Sequence, residues 1–556
     1  MTSTKRKTSK PKRPWQDVAH EAQQYRDRTV AAVRPELPAL PSPLPRNVMA
    51  IPGQILSQRE LYITSLSVSC LLDALAGRGV ERITAVDVIN AFLRRAALAQ
   101  RLTNCVTELL TTRALGRAKE LDDYFEKHGK TVGPLHGLPI SVKEQIGMAG
   151  LGLNASFVAL WDKVATEDAH VLQILHNAGA IFHARTAEPQ TMMHLETSSN
   201  LYGRTVNPYN SDLSSGGSSG GEGALGGLGG TVLGLGSDVG GSIRSPAANN
   251  GIYGLRPSAF RVPTDGWSSV ACGVDEIATV IGPLSSSLSG IEILMQTVLS
   301  ARPWLTEPAL IPMPWTPFAI TGPLKIAIMW HDDVVLPHPP ITRVLKSMAS
   351  AMQALENVTV VDWKPYLHDE AWAIVSTLYY PDGGVEDIDM LESADEPILP
   401  LTRWIIQDNP CVRELSMQEL NYWKEEREAY RKEYAQYWHA TSQSDSGEVD
   451  VILCPVGPGC APKHETAKYW GYTSQWNLLD YPAVVFPVGK ANREADEKKR
   501  DAQWLSGQDK MNWDLYEPET FDGVPISLQL VARRCEDEKL LAVAKWLQEK
   551  LEFPFR

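Results

Sequence analysis

The chain has 556 residues, 43% of them hydrophobic and 21% charged, with 53 Lys and Arg against 66 Asp and Glu. That composition excludes a disordered or fibrous chain, and a formal charge of −13 argues against binding to a phosphate backbone. Seven dispersed cysteines without a CxxC pair, no run of about 18 apolar residues and no signal-peptide core point to a reduced, cytoplasmic protein that spans no membrane.

The first 14 residues carry Lys5, Arg6, Lys7, Lys10, Lys12 and Arg13 and no acid. Such a tail reads as a solvated terminus, with a nuclear-import or anionic-surface signal as the sharper alternative. Residues 34–53 hold six prolines and predict an extended path that wraps the body without forming an element. Residues 1–53 are therefore set apart as a basic, proline-rich extension. Ser57-Gln-Arg-Glu60 is a capping box and Thr84 a second N-cap, so helices are expected over 58–79, 84–100 and 112–128. Leu138 to Lys143 predicts a buried strand, Asp168 to Gly179 a helix and Ala180 to His183 a strand, an alternation that favours an α/β fold. The proline-rich stretch 302–323 reads as an internal connection before a strand at Lys325 to Trp330 and a helix around 341–356. Aromatic residues at helical spacing over 422–438 predict a surface helix with one buried face, and the Lys-, Asp- and Glu-rich 493–510 an exposed loop.

Between Gly216 and Gly241, 26 residues hold 13 of the chain's 41 glycines. Glycine is costly to order, so this density implies backbone placed where a side chain would obstruct it. Gly221 to Gly226 matches GxGxxG, yet a Gly/Ser loop precedes it where a dinucleotide fold needs a strand. Gly216 to Gly220 matches the GxSxG nucleophile elbow, yet turn formers stand upstream in place of a core strand. No GxxxxGK[ST] phosphate loop occurs.

A larger constellation is more specific. PLHGLPISVKEQ (134–145), SSGGSSGGEGA (214–224) and GSDVGGSIRSPA (236–247) stand in an order and spacing that resemble the amidase-signature enzymes. EPQTMMHLETSSNLYGRTVNPYN (188–210), GIYGLRPS (251–258), IPMPW (311–315), LPHPPI (336–341) and GVPISLQLVARR (523–534) extend the likeness to fungal acetamidases and general amidases. The resemblance implies an α/β fold with a mixed twisted sheet covered by helices on both faces, a catalytic domain over 54–556 and a core signature over about 133–260. It also implies a Ser-Ser-Lys triad of Ser242 as nucleophile, Ser218 as proton carrier and Lys143 as base, with a cis peptide between Gly217 and Ser218. The backbone amides of Val239, Gly240, Gly241 and Ser242 would form an oxyanion hole. Asp238 and Arg244 would hold the turn, and Met192 would touch substrate or pack in the core.

The residue types fit that chemistry. Amide hydrolysis needs a nucleophile, a base, a proton for the departing nitrogen and donors for the oxyanion. Lysine serves as a base only when neutral, and burial at the end of an apolar strand lowers its ordinary pKa of about 10.4. Glu144 in place of Asp and Ser237 in place of Thr keep the family's chemistry. Asn249-Asn250 introduces polar groups near the nucleophile. HExxH is absent, so no metal and no cofactor are expected. The expected partner is a small-molecule amide such as acetamide, with no nucleic acid; homodimers are common among similar enzymes. The competing readings are an amidase specific to a biosynthetic intermediate, a non-catalytic or partner-dependent amidase-like subunit, and a Ser-His-Asp hydrolase with Ser218 as nucleophile.

Overall fold

The computed structural model describes residues 13–79, 81–268, 275–443 and 447–551; the basic tail, apart from Arg13 and Pro14, and Cys272 lie outside them. In chain order the strands are β1 Val106–Leu109, β2 Pro139–Lys143, β3 Ile181–Thr186, β4 Ser198–Ser199, β5 Gly203–Arg204, β6 Leu233–Asp238, β7 Tyr253–Arg256, β8 Val280–Ser285, β9 Leu324–Ile328, β10 Val358–Asp362, β11 Val451–Pro455, β12 Ala483–Lys490 and β13 Pro525–Val531. β4 and β5 form a small ladder of their own, and the other eleven join in the order β1-β3-β2-β6-β8-β7-β12-β13-β11-β9-β10. Pairing is parallel for β3-β2-β6 and for β11-β9-β10 and antiparallel elsewhere.

Successive residues of a strand point to opposite faces, and here each face enters a different core. Ile326, Ile328, Val451 and Leu453 join one hydrophobic cluster, while Ala327, Met329, Ile452 and Cys454 join another. Helices therefore cover both sides, and the strands read as continuous apolar runs because neither face meets water. Among the described residues no helix is long and apolar enough to cross a membrane.

Local signals explain several helix starts. Ser57 and Glu60 close the capping box of helix Gln58–Ser65, and the Thr84 side chain accepts from the Asp87 amide at the start of Ala85–Thr103. The single helix expected over 58–79 is two: Leu66 turns extended and Ser67 caps a new helix, Val68–Leu75, by accepting from the Cys70 amide at 3.3 Å. Residues 34–50 wrap the body, with Val48 N donating to Pro208 O and Arg101 to Pro38 O, but the expected elementless stretch 34–53 ends in a short helix, Ile51–Ile55, with Pro52 in its first turn. Within the extension, however, Trp15–Ala31 is a helix that the sequence reading did not foresee. It buries Val18, Ala19, Ala22 and Arg26, and Arg26 reaches Asn104 at 2.8 Å. The 417–440 helix buries Tyr430, Tyr434 and Trp438 as its pattern predicts. The 493–510 loop is not simply exposed, because Asp496 and Asp509 are buried against Arg343 and Arg500, and a helix begins at Gly507.

Candidate active site

The site is assembled where β2 and β6 lie side by side. Their parallel register pairs Ser141 with Gly234 and Val142 with Leu235, so Lys143, the last residue of β2, arrives level with Gly236, one residue before Ser237. Lys143 is fully buried, its Nζ 2.7 Å from Ser218 Oγ and 2.9 Å from Ser237 Oγ. Ser237 in turn donates to Gln145 Oε1 at 3.0 Å. Burial pushes the Lys143 ammonium down to about 8, against the opposing pull of Glu188, Asp238 and Glu222. Glu188 approaches Nζ only to 3.9 Å, and its carboxyl lies beside that of Glu144. Burial pushes that carboxyl well above its ordinary range despite Lys143. Both partners are thus driven toward their neutral forms, and the lysine lone pair becomes available as pH rises toward about 8.

The serine loop is pinned between the strand and the turn that follows it. Ser219 N donates to Ser242 O at 3.1 Å, and Ser219 Oγ accepts from the Ser237 amide at 3.2 Å. The peptide between Gly217 and Ser218 is cis. The helix Gly220–Gly227 then seats directly against main chain: a Cβ on Gly221 would lie 2.4 Å from Cys105 O and 2.5 Å from Ala187 N. This close approach accounts for glycines that might suggest a linker, and it places Gly221 to Gly226 inside a helix, not at the strand-to-helix turn of a dinucleotide site.

The turn after β6 carries Ser242. Asp238 accepts from the amides of Gly241 at 2.9 Å and Ile243 at 3.0 Å, from Arg244 Nε at 3.0 Å and Nη2 at 2.9 Å, and from Asn477 Nδ2 at 2.9 Å. Arg244 also reaches Thr473 O and Asn477 Oδ1. Burial alone would raise the Asp238 carboxyl, but the Arg244 charge and these hydrogen bonds hold it at about 2. The pair's stabilisation is present above the ordinary carboxylate pKa and is lost only as pH falls toward 2. Gly241 has φ +127, and a Cβ there would lie 2.5 Å from Thr473 Oγ1. The turn needs glycine at that position. Removing one member of a buried ion pair leaves the other uncompensated, so Asp238→Ala is expected to cost about 3–5 kcal/mol in urea unfolding. A loss below about 1 kcal/mol would show that this network does not hold the turn.

The four amides proposed for the oxyanion divide. Gly241 N–H is committed to Asp238, whereas those of Val239, Gly240 and Ser242 have no acceptor among the described residues. Val239 O accepts from Tyr379 Oη at 2.8 Å. Ser218, Ser242, Ser237, Gln145, Val239 and Met192 all line one cavity of about 110 Å³, further walled by Trp267, Ile277 and Leu378. Among the described residues no hydrogen bond joins the Ser218 and Ser242 hydroxyls directly, although both face this space. Catalytic hydrogen bonds are often long before substrate arrives. Met192 lines the cavity and packs against the cluster of Ala155, Phe157 and Leu391. Asn249 and Asn250 do not reshape the cavity. Asn250 Nδ2 ties the nucleophile helix Arg244–Asn250 to Ser215 O at 2.7 Å, and Asn249 faces a separate hollow behind that helix.

Several contributors carry no sequence signal of their own. Gln145, Ser237 and Glu188 sit inside the family-like stretches given above, but Tyr379, Thr473 and Asn477 reach the site from segments without a motif. Among the described residues no histidine nitrogen contacts Ser218 Oγ, whose partner is Lys143, and this disfavours a Ser-His-Asp reading.

Comparison with known proteins follows this geometry. Residues 87–541 match the family profile described as Amidase. An amidase homologue of Schizosaccharomyces pombe is 42% identical over 534 residues, 95% of this chain and 98% of that protein. An acetamidase of Emericella nidulans is 37% identical over 541 residues, covering 96% of this chain and 97% of its own. Among solved structures, a fatty acid amide hydrolase superposes with a TM-score of 0.91 at 32% identity, covering 98% of this chain and 96% of that one.

Proposed function

The chain belongs to the amidase family and is an amide hydrolase, and from that premise we propose that it cleaves a carboxylic amide through an acyl-enzyme on Ser242. The observation that carries this reading is the buried Lys143 Nζ, 2.7 Å from Ser218 Oγ, with Ser218 and Ser242 on one cavity. Neutral Lys143 takes the Ser218 proton as Ser218 takes that of Ser242. Ser242 Oγ then adds to the amide carbonyl, and the oxyanion forms against the free amides of Val239, Gly240 and Ser242. A preorganised donor of this kind contributes about 10²–10³ in rate. Collapse breaks the C–N bond as Ser218 returns a proton to the departing nitrogen, and Lys143 restores Ser218. Water then repeats the cycle on the ester.

The acetamidase relatives and the small cavity favour short aliphatic amides such as acetamide as substrates. Purified protein is expected to release ammonia from acetamide more efficiently than from long-chain amides. Because the base must be neutral, kcat/KM is expected to rise tenfold per pH unit toward a plateau above about pH 8. A pH–rate profile on the best substrate checks this, and a flat profile from about pH 6 to about pH 9 would remove Lys143 as the base.

A further inference from the structure

One wall of the active-site cavity does not belong to the hydrolytic machinery. The helix Val385–Ser393 presents Asp387 there, and the chain entering it presents Tyr380. Asp387 is 7% exposed, and among the described residues its carboxyl meets no hydrogen-bond donor and no counter-ion, only the like charges of Asp382 and Glu386. Tyr380, 4% exposed, has an unpartnered hydroxyl, as does Thr191 at 2% on the same cavity. A buried polar group without a partner costs about 1–3 kcal/mol, more when charged, so three converging on one hollow point to a ligand group that satisfies them.

The sign of that group follows from the charges. Burial pushes Asp387 up to about 7, and its neighbours Asp382 and Glu386 act in the same direction. Asp382 itself is engaged, accepting from the Gly384 and Glu386 amides, each at 2.9 Å. No cation answers this acidic wall among the described residues. An ammonium group has three N–H donors, matching the three unpartnered acceptors, and its charge would restore the ionised form of Asp387. A carboxylate would be repelled, and a methyl group would leave all three oxygens unpaired.

We propose that Asp387, with Tyr380 and Thr191, is a specificity site that selects amides carrying a protonated amine on the part of the substrate remote from the scissile bond. This rests on the hydrolase reading above and names its substrate class. Asp387 makes no contact with the reacting atoms; it decides which amides are held.

The test compares amides ending in an ammonium with isosteric amides ending in a methyl group, over a graded series of chain lengths. For the wild-type enzyme kcat/KM is expected to favour the ammonium member by roughly tenfold or more at the length that fits. Asp387→Asn and Asp387→Leu should bring that ratio to about one or below. A wild-type preference for the methyl member at every length, or a preference that survives both substitutions, would overturn the proposal. Calorimetric binding of both series to Ser242→Ala, with and without Asp387→Asn, gives the same comparison without turnover. If no amide of either series were cleaved, the hydrolase reading would fail, while the calorimetric ratio would still decide the role of Asp387.

Discussion

Replacing Ser242 by alanine is expected to lower kcat/KM for every amide the enzyme cleaves by about 10⁴-fold or more, because no acyl-enzyme can form without the nucleophile. The protein should still fold, since Ser242 is a small side chain and the turn is held by Asp238, Arg244 and Asn477 through other atoms. A fluorophosphonate probe should label the wild type and leave Ser242→Ala unmodified. Ser218→Ala keeps the nucleophile but loses its route to Lys143, so it should label slowly and at Ser242. Fragmentation of the labelled peptide decides the matter: an adduct on Ser218 would exchange the two roles. Knockouts of residues that act as a unit are not additive, so the double variant should be no worse than Ser242→Ala alone.

Lys143→Met is expected to lower kcat/KM by about 10²–10⁴-fold and to abolish the rise in rate toward pH 8. Methionine fills a similar volume without a charge, and removing a buried ammonium relieves a desolvation cost, so stability should hold or increase. That outcome separates a chemical role from a structural one, because activity falls while the unfolding midpoint does not. Retention of the acidic limb in this variant would show that another group titrates there. Glu188 adds a constraint, because without Lys143 its buried carboxyl has no cation within 4 Å and should stay protonated.

The catalytic segment was legible because its constraints are local. The spacing of Lys143, Ser218 and Ser242 and the glycines between them report close backbone approach, and residues such as Gly221 and Gly241 have no other physical reason to be glycine. The rest of the site was not legible for the opposite reason. Thr473 and Asn477 come from the wholly buried helix Gly471–Leu479, Asp387 from Val385–Ser393 and Tyr380 from the residue after His368–Tyr379, and only tertiary packing brings them to the nucleophile turn or the cavity wall. The helix Trp15–Ala31 was hidden by its polar composition and by the basic tail beside it, although Val18, Ala22 and Arg26 recur at helical spacing. The break at Leu66 is masked by an apolar pattern that continues through it, and its local mark is Ser67, the cap of the second helix. Asp496 and Asp509 show how a charge-rich stretch can hold buried anchors, since charge alone does not reveal which acids find an arginine.

The strand order sets when in the life of the chain this site can exist. Asp238 and Asn477 are 239 residues apart, and β12 and β13, made late, fill the centre of the sheet between β7 and β11. During synthesis the nucleophile turn emerges long before the helix that seats Arg244, and the early strands wait with β7 as an open edge. A chain stopped before β12 would be left with two sheet fragments whose edges at β7 and β11 invite pairing with other chains. Loss of the C-terminal portion is therefore a route to aggregation before it is a loss of catalysis, and the hydrolase becomes active as a property of the nearly finished chain.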